Sequence, residues 1–177
     1  LHEIAVRTMG TEGHVIICGY GRSGQNLSRL LELESLQFIA LDLDPQRVRD
    51  AATAGESVVF GDAARKEVLM AAGLMRAAAV VISYADTPSA LRILAHVREV
   101  RPDLPVVVRT VDDADIERLQ AAGAAEVVAE IMEGSLMLAS HALMLLGVPL
   151  HRVLKRIRHT REQRYSLFRG FFPGATD

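Results

Sequence analysis

The stretch from Val15 to Asp42, VIICGYGRSGQNLSRLLELESLQFIALD, decides the fold. An apolar, β-branched run over residues 15–18 is followed directly by the glycine pattern GYGRSG (residues 19–24) and a helical pattern over residues 23–34. A second apolar run, residues 38–41, ends at Asp42. Strand, glycine-rich turn, helix and strand in this order predict a βαβ unit with two parallel strands.

The same alternation of short apolar runs and helical patterns continues along the chain. The six predicted strands are residues 15–18, 38–41, 58–60, 80–82, 106–108 and 127–128, and the five predicted helices between them are residues 23–34, 45–54, 65–72, 88–100 and 114–122. Strands that are apolar throughout are typical of a parallel sheet covered by helices on both faces. We therefore predict an α/β fold, a Rossmann-like, doubly wound, six-stranded parallel sheet.

The glycine pattern has the spacing of a dinucleotide-binding turn. In such a turn Gly19 permits the tight bend, Gly21 lets the backbone approach a pyrophosphate, and Gly24 lets the helix pack closely against the sheet. The N-terminus of the following helix offers free N–H groups to a phosphate, and Arg22 adds a full positive charge there. The alternative interpretation is a glycine-rich turn that binds nothing.

A second requirement of such a site is an acidic residue about 20 positions later, at the end of the second strand, to bind the ribose hydroxyls. Asp42 stands there. Because Asp42 and Asp44 would repel a 2′-phosphate, NAD or another adenosine nucleotide is favoured over NADP. For Asp44 itself we prefer the role of N-cap to a helix that begins at Pro45.

Polar residues also follow the later strands. Asp62 comes after the third strand, where it either reaches the adenine edge of a ligand or caps the next helix, and both roles remain open. Arg109 follows the fifth strand and is expected to present a cation to the crevice at the carboxyl ends of the strands. Ser83 and Asp86, after the fourth strand, belong to the same rim.

Charge and composition argue against other classes of site. Residues 151–177 carry seven basic and two acidic side chains, which leaves 13 basic and 20 acidic side chains in residues 1–150. An acidic body repels a phosphate backbone, so no nucleic-acid partner is expected. The six histidines lack metal-ligand spacing, so no metal is expected, and Cys18 is interpreted as a buried, inert thiol.

Residues 134–150 contain no Asp, Glu, Lys or Arg and are apolar nearly all round. Because a membrane helix needs about 20 apolar residues, a buried helix is favoured over a membrane span. The surplus apolar surface indicates a partner subunit, with packing inside its own domain as the alternative. Residues 151–177 follow as a basic extension with a helical pattern.

Several of these motifs together resemble the RCK/TrkA-N domain. They are GYGRSGQ at residues 19–25, the acid pair in DLD at 42–44, GDA at 61–63 and VVIS at 80–83. The resemblance covers residues 13–150 and is greatest to the regulatory domains of Kef-type monovalent cation:proton antiporters. It implies a Rossmann nucleotide-binding domain at 13–130, an apolar crossover and dimerisation helix at 131–150, and a basic C-terminal extension at 151–177.

The resemblance also implies roles for single residues. The residues implied to contact phosphate are Gly19, Gly21, Arg22, Ser23 and Gly24. Asp42 would bind the ribose, Asp62 the adenine, and Arg109 would lie near the ligand or the dimer crevice. The implied ligand is an adenine nucleotide, NAD(H) or AMP, and the implied partners are a second copy and an integral membrane antiporter domain of the same polypeptide.

The function expected from these observations is regulation without enzymatic activity. The domain would sense the nucleotide at the cytoplasmic face of the bacterial inner membrane and gate a potassium or cation:proton antiporter. The alternatives are a peripheral subunit of a Trk-type potassium uptake system and a fragment of an NAD-dependent dehydrogenase, which would need a second domain. The chain begins at Leu1, so we expect further sequence with the membrane part to precede it.

Overall fold

A computed structural model describes residues 1–168 and confirms the six-stranded parallel sheet. The strands are β1 (Val15–Cys18), β2 (Phe38–Asp42), β3 (Val58–Phe60), β4 (Ala79–Ile82), β5 (Val106–Thr110) and β6 (Glu126–Ala129). They lie in the order β3-β2-β1-β4-β5-β6, and every neighbouring pair is parallel. The chain therefore reverses its direction across the sheet between β1 and β4. The last part of the predicted basic extension, residues 169–177, lies outside the described residues.

The helices are α1 (His2–Thr8), α2 (Arg22–Leu33), α3 (Pro45–Thr53), α4 (Lys66–Ala71), α5 (Thr87–Val100), α6 (Ile116–Ala121), α7 (Glu130–Leu145) and α8 (Leu150–Glu162). Short 3₁₀ turns stand at Leu74–Arg76 and Ser166–Phe168. The predicted helices correspond to α2 to α6, with small shifts at their ends. The sequence did not predict α1, which is too short for a periodic pattern and is held by tertiary contacts of Ile4 and Thr8.

Side-chain caps set the beginnings of two helices beside the carboxyl ends of the strands. The carboxylate of Asp44 accepts hydrogen bonds from the backbone N–H groups of Gln46 (3.0 Å) and Arg47 (3.4 Å), which confirms its predicted role as N-cap of α3. Asp86 accepts in the same way from the N–H of Ser89 at 3.1 Å and caps α5. Each cap satisfies N–H groups that have no partner inside the helix.

The central strands are buried on both faces, as their apolar sequence predicts. Ile16 and Cys18 of β1 pack in the cluster that contains Leu69 of α4 and Ile93 of α5. Ile17, which points the other way, packs in the cluster formed with α2 and α3. Burial raises the pKa of the Cys18 thiol to about 12, which confirms an inert thiol. With both faces covered by helices, the carboxyl edge of the sheet is the place left for polar side chains.

Helix α7 differs from its predicted range, residues 131–150, and leaves an apolar face exposed. It begins at Glu130, ahead of the apolar stretch, because acidic residues in a first turn are favourable to the helix dipole. Only one of its faces is buried, through Met132 and Leu136, while Leu138 is 76% exposed and Leu145 is 89% exposed. Since β6 and α8 cover only one side of it, a surplus apolar surface remains, and its expected burial against a partner subunit stays a prediction.

Helix α8 and the turn after it are joined to α7 by hydrogen bonds to Glu133. Glu133 of α7 accepts hydrogen bonds from Arg161 (3.1 Å from Nε) and from the hydroxyl of Tyr165 (2.5 Å). Burial alone would raise the pKa of Glu133, but these bonds hold it below its usual value. Within residues 1–168, every helix is too short or too polar to cross a membrane.

Candidate functional site

A cavity of about 770 Å³ opens at the carboxyl edge of the sheet, where the chain reverses direction between β1 and β4. Its volume falls in the range of about 300–1,000 Å³ typical of small-molecule sites. Of the predicted site residues, all except Gly24 line this cavity. They are Gly19, Gly21, Arg22, Ser23, Asp42, Asp62 and Arg109. The fold therefore brings together residues from the glycine turn and from the ends of three further strands.

The glycine turn is held in place from both neighbouring strands. Gly19 has a φ of +96°, and a Cβ on it would lie 2.5 Å from Cδ1 of Tyr84, so only glycine fits. The N–H of Gly19 donates to the carbonyl of Leu41 at 2.8 Å. The hydroxyl of Ser83 donates to the carbonyl of Gly19 at 2.6 Å. These bonds fix the turn before any ligand arrives.

The other two glycines of the pattern have different surroundings. Gly21 is the N-cap of α2, no side chain caps the first turn, and nothing lies within 4 Å of where its Cβ would stand. The N–H groups of that turn are therefore available to an anion. A Cβ on Gly24 would lie 2.3 Å from the carbonyl oxygen of Gly19, so Gly24 is a packing glycine behind the turn. A phosphate contact by Gly24 stays a prediction.

Asp42 is buried at the end of β2 and is already hydrogen-bonded. Its Oδ2 accepts from the N–H of Tyr20 at 2.7 Å, and its Oδ1 accepts from the N–H of Asp44 at 2.8 Å. The guanidinium of Arg47 also donates to it, at 3.1 Å from Oδ2 and 3.3 Å from Oδ1. Asp42 thus anchors the glycine turn, and its contact with a ribose stays a prediction.

Sequence reasoning missed Arg47, which lies in the first turn of α3 and also lines the cavity. Its only signal in the sequence is its closeness to Asp42, because a side chain in a first helical turn can reach back to the preceding strand end. Arg47 reduces the charge argument against a 2′-phosphate without removing it, since Asp42, Asp44 and Arg47 together carry one net negative charge.

Tyr20 connects the glycine turn to the helices on one face of the sheet. Its ring stacks on Phe38 with centroids 6.3 Å apart, and its hydroxyl hydrogen-bonds to Ser28 (2.9 Å) and to Glu56. Burial, followed by the hydrogen bond to Glu56, raises the pKa of Tyr20 to about 12. The residue between Gly19 and Gly21 therefore has a structural role that the glycine pattern does not specify.

Asp62 lies in the cavity wall after β3. Its Oδ1 accepts from the N–H of Ala64 at 2.9 Å and closes a turn ahead of α4. The alternative role as a helix cap is wrong, because α4 begins at Lys66 and has no side-chain cap. The same side chain lines the cavity, which keeps its predicted contact with adenine open. Beside it, Tyr84 packs against the glycine turn, and its hydroxyl hydrogen-bonds to Ser89 at 2.7 Å. Tyr84 carried no recognisable sequence signal.

Arg109 belongs to β5 itself, although the sequence predicted it just after the strand. It donates from Nη1 to the carbonyl of Ser83 at 2.9 Å. It also donates from Nε (3.0 Å) and Nη2 (2.7 Å) to Oε2 of Glu130, the first residue of α7. The predicted cation is therefore at the crevice but is paired with an acid from the next element.

The cavity wall as a whole is balanced in charge. Its charged side chains are Arg22, Arg47, Arg92, Arg109, Asp42, Asp62, Asp86 and Glu130. Arg47 and Arg109 form ion pairs with Asp42 and Glu130, whereas Arg22 and Arg92 have no ion pair within residues 1–168. Among the same residues, no group of His, Cys, Asp and Glu is arranged to hold a metal ion. Arg22 and Arg92 are therefore the cations of the cavity wall left to meet an anionic group.

Comparison with known proteins shows which domain family this chain matches. The family model described as the TrkA-N domain matches residues 15–130. A relative named as putative K(+) efflux antiporter KefB, from Alkalimonas amylolytica, is 42% identical over 168 residues, which is 95% of this chain and 25% of the relative. The chain therefore spans about a quarter of the length of that relative.

Two solved structures resemble the fold over most of their own length. One is the Shewanella denitrificans Kef CTD in an AMP-bound form, at 30% identity and a TM-score of 0.70, covering 87% of this chain and 96% of that one. The other is the TrkA-N domain of the inner membrane protein ybaL from Escherichia coli, at 26% identity and a TM-score of 0.67, covering 77% of this chain and 98% of that one.

Proposed function

This chain belongs to the TrkA-N domain family, and from that premise we propose that it is the nucleotide-sensing regulatory domain of a Kef-type potassium or cation:proton antiporter. The family assignment confirms the resemblance drawn from the sequence. The proposed ligand is an adenine nucleotide, AMP or NAD(H), and the proposed activity is binding without chemical conversion.

The observation that carries the proposal is the convergence of the predicted residues on one cavity. A fixed glycine turn, an uncapped N-terminus of α2 and the cation Arg22 suit a phosphate. Asp42 stands on the far side of the turn, at the position of the ribose-binding acid of this fold. The AMP-bound Kef CTD, similar over most of both chains, supports the same ligand class.

The regulatory step requires that the ligand favours one arrangement of the assembled protein over another. We propose that the assembly is a homodimer, because Leu138 and Leu145 are exposed on one side of α7 and the exposed Leu146 follows directly. An exposed apolar strip of this kind along a helix is typical of a subunit interface. The membrane part of the antiporter would lie in the same polypeptide, with this domain at the cytoplasmic face of the inner membrane.

The proposal divides the chain into three functional units. Residues 13–130 bind the nucleotide, residues 131–150 form the crossover and dimer helix, and residues 151–177 form the basic extension. Two relatives are named as a putative K(+) efflux antiporter and as a glutathione-regulated potassium-efflux system protein. These names favour the efflux antiporter over the dehydrogenase and Trk-type alternatives. A dehydrogenase would oxidise bound NADH in the presence of a small carbonyl compound, and we expect no such turnover.

Calorimetric titration with AMP, NADH and NADPH tests the proposal. We expect AMP and NADH to bind and NADPH to bind more weakly. Asp42→Asn should weaken AMP binding roughly tenfold or more, because it removes a charged acceptor from the ribose. Asp50→Asn, on the exposed side of α3, is the matched control and should bind AMP as the wild type does.

Thermal unfolding of both variants checks that Asp42→Asn still folds, since Asp42 also anchors the glycine turn. NADPH binding equal to or tighter than NADH binding would contradict the role of Asp42. An Asp42→Asn protein that folds and binds AMP with unchanged affinity would contradict the placement of the ribose.

A further inference from the structure

Arg109 is surrounded by hydrogen-bond acceptors from two different elements. Its Nη1 donates to the carbonyl of Ser83, whose own hydroxyl donates to the carbonyl of Gly19. The guanidinium is therefore separated from the glycine turn by a single residue. Its Nε and Nη2 both donate to one carboxylate oxygen of Glu130. A carboxylate thus occupies the fork of an arginine that faces the ligand cavity.

In this ion pair, another anion can readily replace the carboxylate of Glu130. The Arg109 side chain is 33% exposed and the Glu130 side chain is 54% exposed. An exposed pair of this kind contributes little net stability, because water solvates both charges when they separate. A phosphate group has more oxygen atoms and more negative charge than a carboxylate, so it can accept hydrogen bonds from the same guanidinium. Glu130, on the outer end of α7, can turn into solvent when it is replaced.

We propose that Arg109 is a second anion subsite of the cavity, which Glu130 fills in the free protein and a second phosphate of the ligand fills in the complex. The inference rests on the proposed function, since it concerns the same nucleotide. The first phosphate lies at the N-terminus of α2 beside Arg22, and the second reaches Arg109 past Ser83. The ligand class that uses both subsites is a nucleotide with a pyrophosphate, such as ADP or NAD(H), whereas AMP uses only the first.

The exchange also connects the ligand to α7. Glu130 is the first residue of α7. Besides its ion pair, the start of that helix is held by the N–H of Ile131, which donates to the carbonyl of Val111, directly after β5, at 2.9 Å. When the phosphate takes Arg109, this backbone bond remains and the side-chain bond is lost. The first turn of the helix that bears the apolar strip is then held less firmly in the ADP complex than in the AMP complex.

The test is calorimetric titration of the full chain with AMP and ADP. In Glu130→Gln, Arg109 is no longer neutralised, so ADP should bind roughly two- to fivefold more tightly while AMP affinity changes less. Arg109→Gln should weaken ADP binding more than AMP binding. Glu126→Gln removes one negative charge from an exposed position of β6 outside the cavity, and it should change neither affinity.

Hydrogen exchange of residues 131–136 supplies the second measurement. We expect faster exchange there in the wild type with ADP than with AMP, and fast exchange in Glu130→Gln without ligand. Glu130→Gln that tightens AMP and ADP equally, or tightens neither, would overturn the subsite, and equal exchange with both ligands would overturn its link to α7. AMP binding to the wild type separately tests the proposed function, and a protein that binds neither nucleotide refutes both proposals.

Discussion

At the scale of single residues, two glycines of one turn exclude a side chain for different reasons. A Cβ on Gly24 would lie 2.3 Å from the backbone oxygen of Gly19, so the restriction comes from the fold itself. Gly21 has open space around its Cα and a φ of −74°, so the folded chain without ligand imposes no such restriction. Only a ligand that approaches the backbone there would require glycine at position 21.

This difference predicts two separable phenotypes. Gly24→Ala should lower the free energy of unfolding by roughly 1–3 kcal/mol, because the methyl group forces α2 away from the turn. Gly21→Ala should cost less than about 1 kcal/mol, the range for a changed N-cap residue, yet bind AMP much more weakly. Urea denaturation measures the first effect and calorimetry the second. Gly21→Ala with wild-type AMP affinity would show that no phosphate approaches this residue.

At the scale of elements, a buried histidine just ahead of β1 connects that strand to the end of α4. His14 is fully buried, and its Nε2 donates to the carbonyl of Ala72 at 2.8 Å just after α4. Its Nδ1 has no hydrogen-bond partner within residues 1–168. Burial lowers the pKa of His14 against the raising effect of that hydrogen bond, and the charge of Arg76 lowers it further. His14 is therefore neutral in the folded protein near neutral pH.

A neutral buried histidine makes the stability depend on pH in a defined direction. The unfolded chain takes up a proton at His14 near the ordinary histidine pKa of 6.5, whereas the folded chain does so only at lower pH. The contribution of the neutral His14 to stability should therefore be fully present above pH 6.5. It should decrease as the pH drops from there toward the lowered pKa of the folded state.

Urea denaturation between about pH 7.5 and 5.5 measures this slope across the ordinary histidine pKa. His14→Leu should flatten it, whatever the effect of the substitution on absolute stability. His141→Gln, at an exposed position of α7, is the control and should keep the wild-type slope. A His14→Leu protein with an undiminished slope would assign the pH dependence to other groups.

At the scale of the whole molecule, the exposed side of α7 predicts self-association. Leu138 is 76% exposed on this helix, and Leu33 is 79% exposed on α2, away from it. We expect sedimentation to show a dimer for the wild type and for Leu33→Glu, and a monomer for Leu138→Glu, because a carboxylate buried in an apolar interface is unfavourable. A Leu138→Glu protein that remains dimeric would exclude this face of α7 as the interface.

The fold was largely predictable because its determinants are local. Each strand contains a short apolar run, and most of these runs are β-branched. Asp44 before Pro45 marks a helix start by chemistry confined to one turn. The glycine spacing likewise specifies a strand–turn–helix geometry within six residues. Helix α1 was missed because its seven residues depend on contacts with the distant α4. What covers α7 was not predictable, because an apolar sequence does not specify which element or subunit packs against it.

The residues that line the cavity were predictable where they stand beside a strand end, as Asp42, Asp62 and Arg109 do. It was not predictable where a residue acts through its neighbours in space. Arg47 and Tyr84 became visible only through their contacts with Asp42 and with the glycine turn.

The sequence by itself therefore determined the order of strands and helices and the chemistry available at the carboxyl edge of the sheet, because both depend on patterns within a few neighbouring residues. Only the tertiary structure decided which charges meet there. Arg109 and Glu130 are 21 residues apart, and they pair because β5 and β6 are adjacent and α7 starts where β6 ends. Distances of this kind follow from the packing of the whole sheet and leave no local signature in the chain.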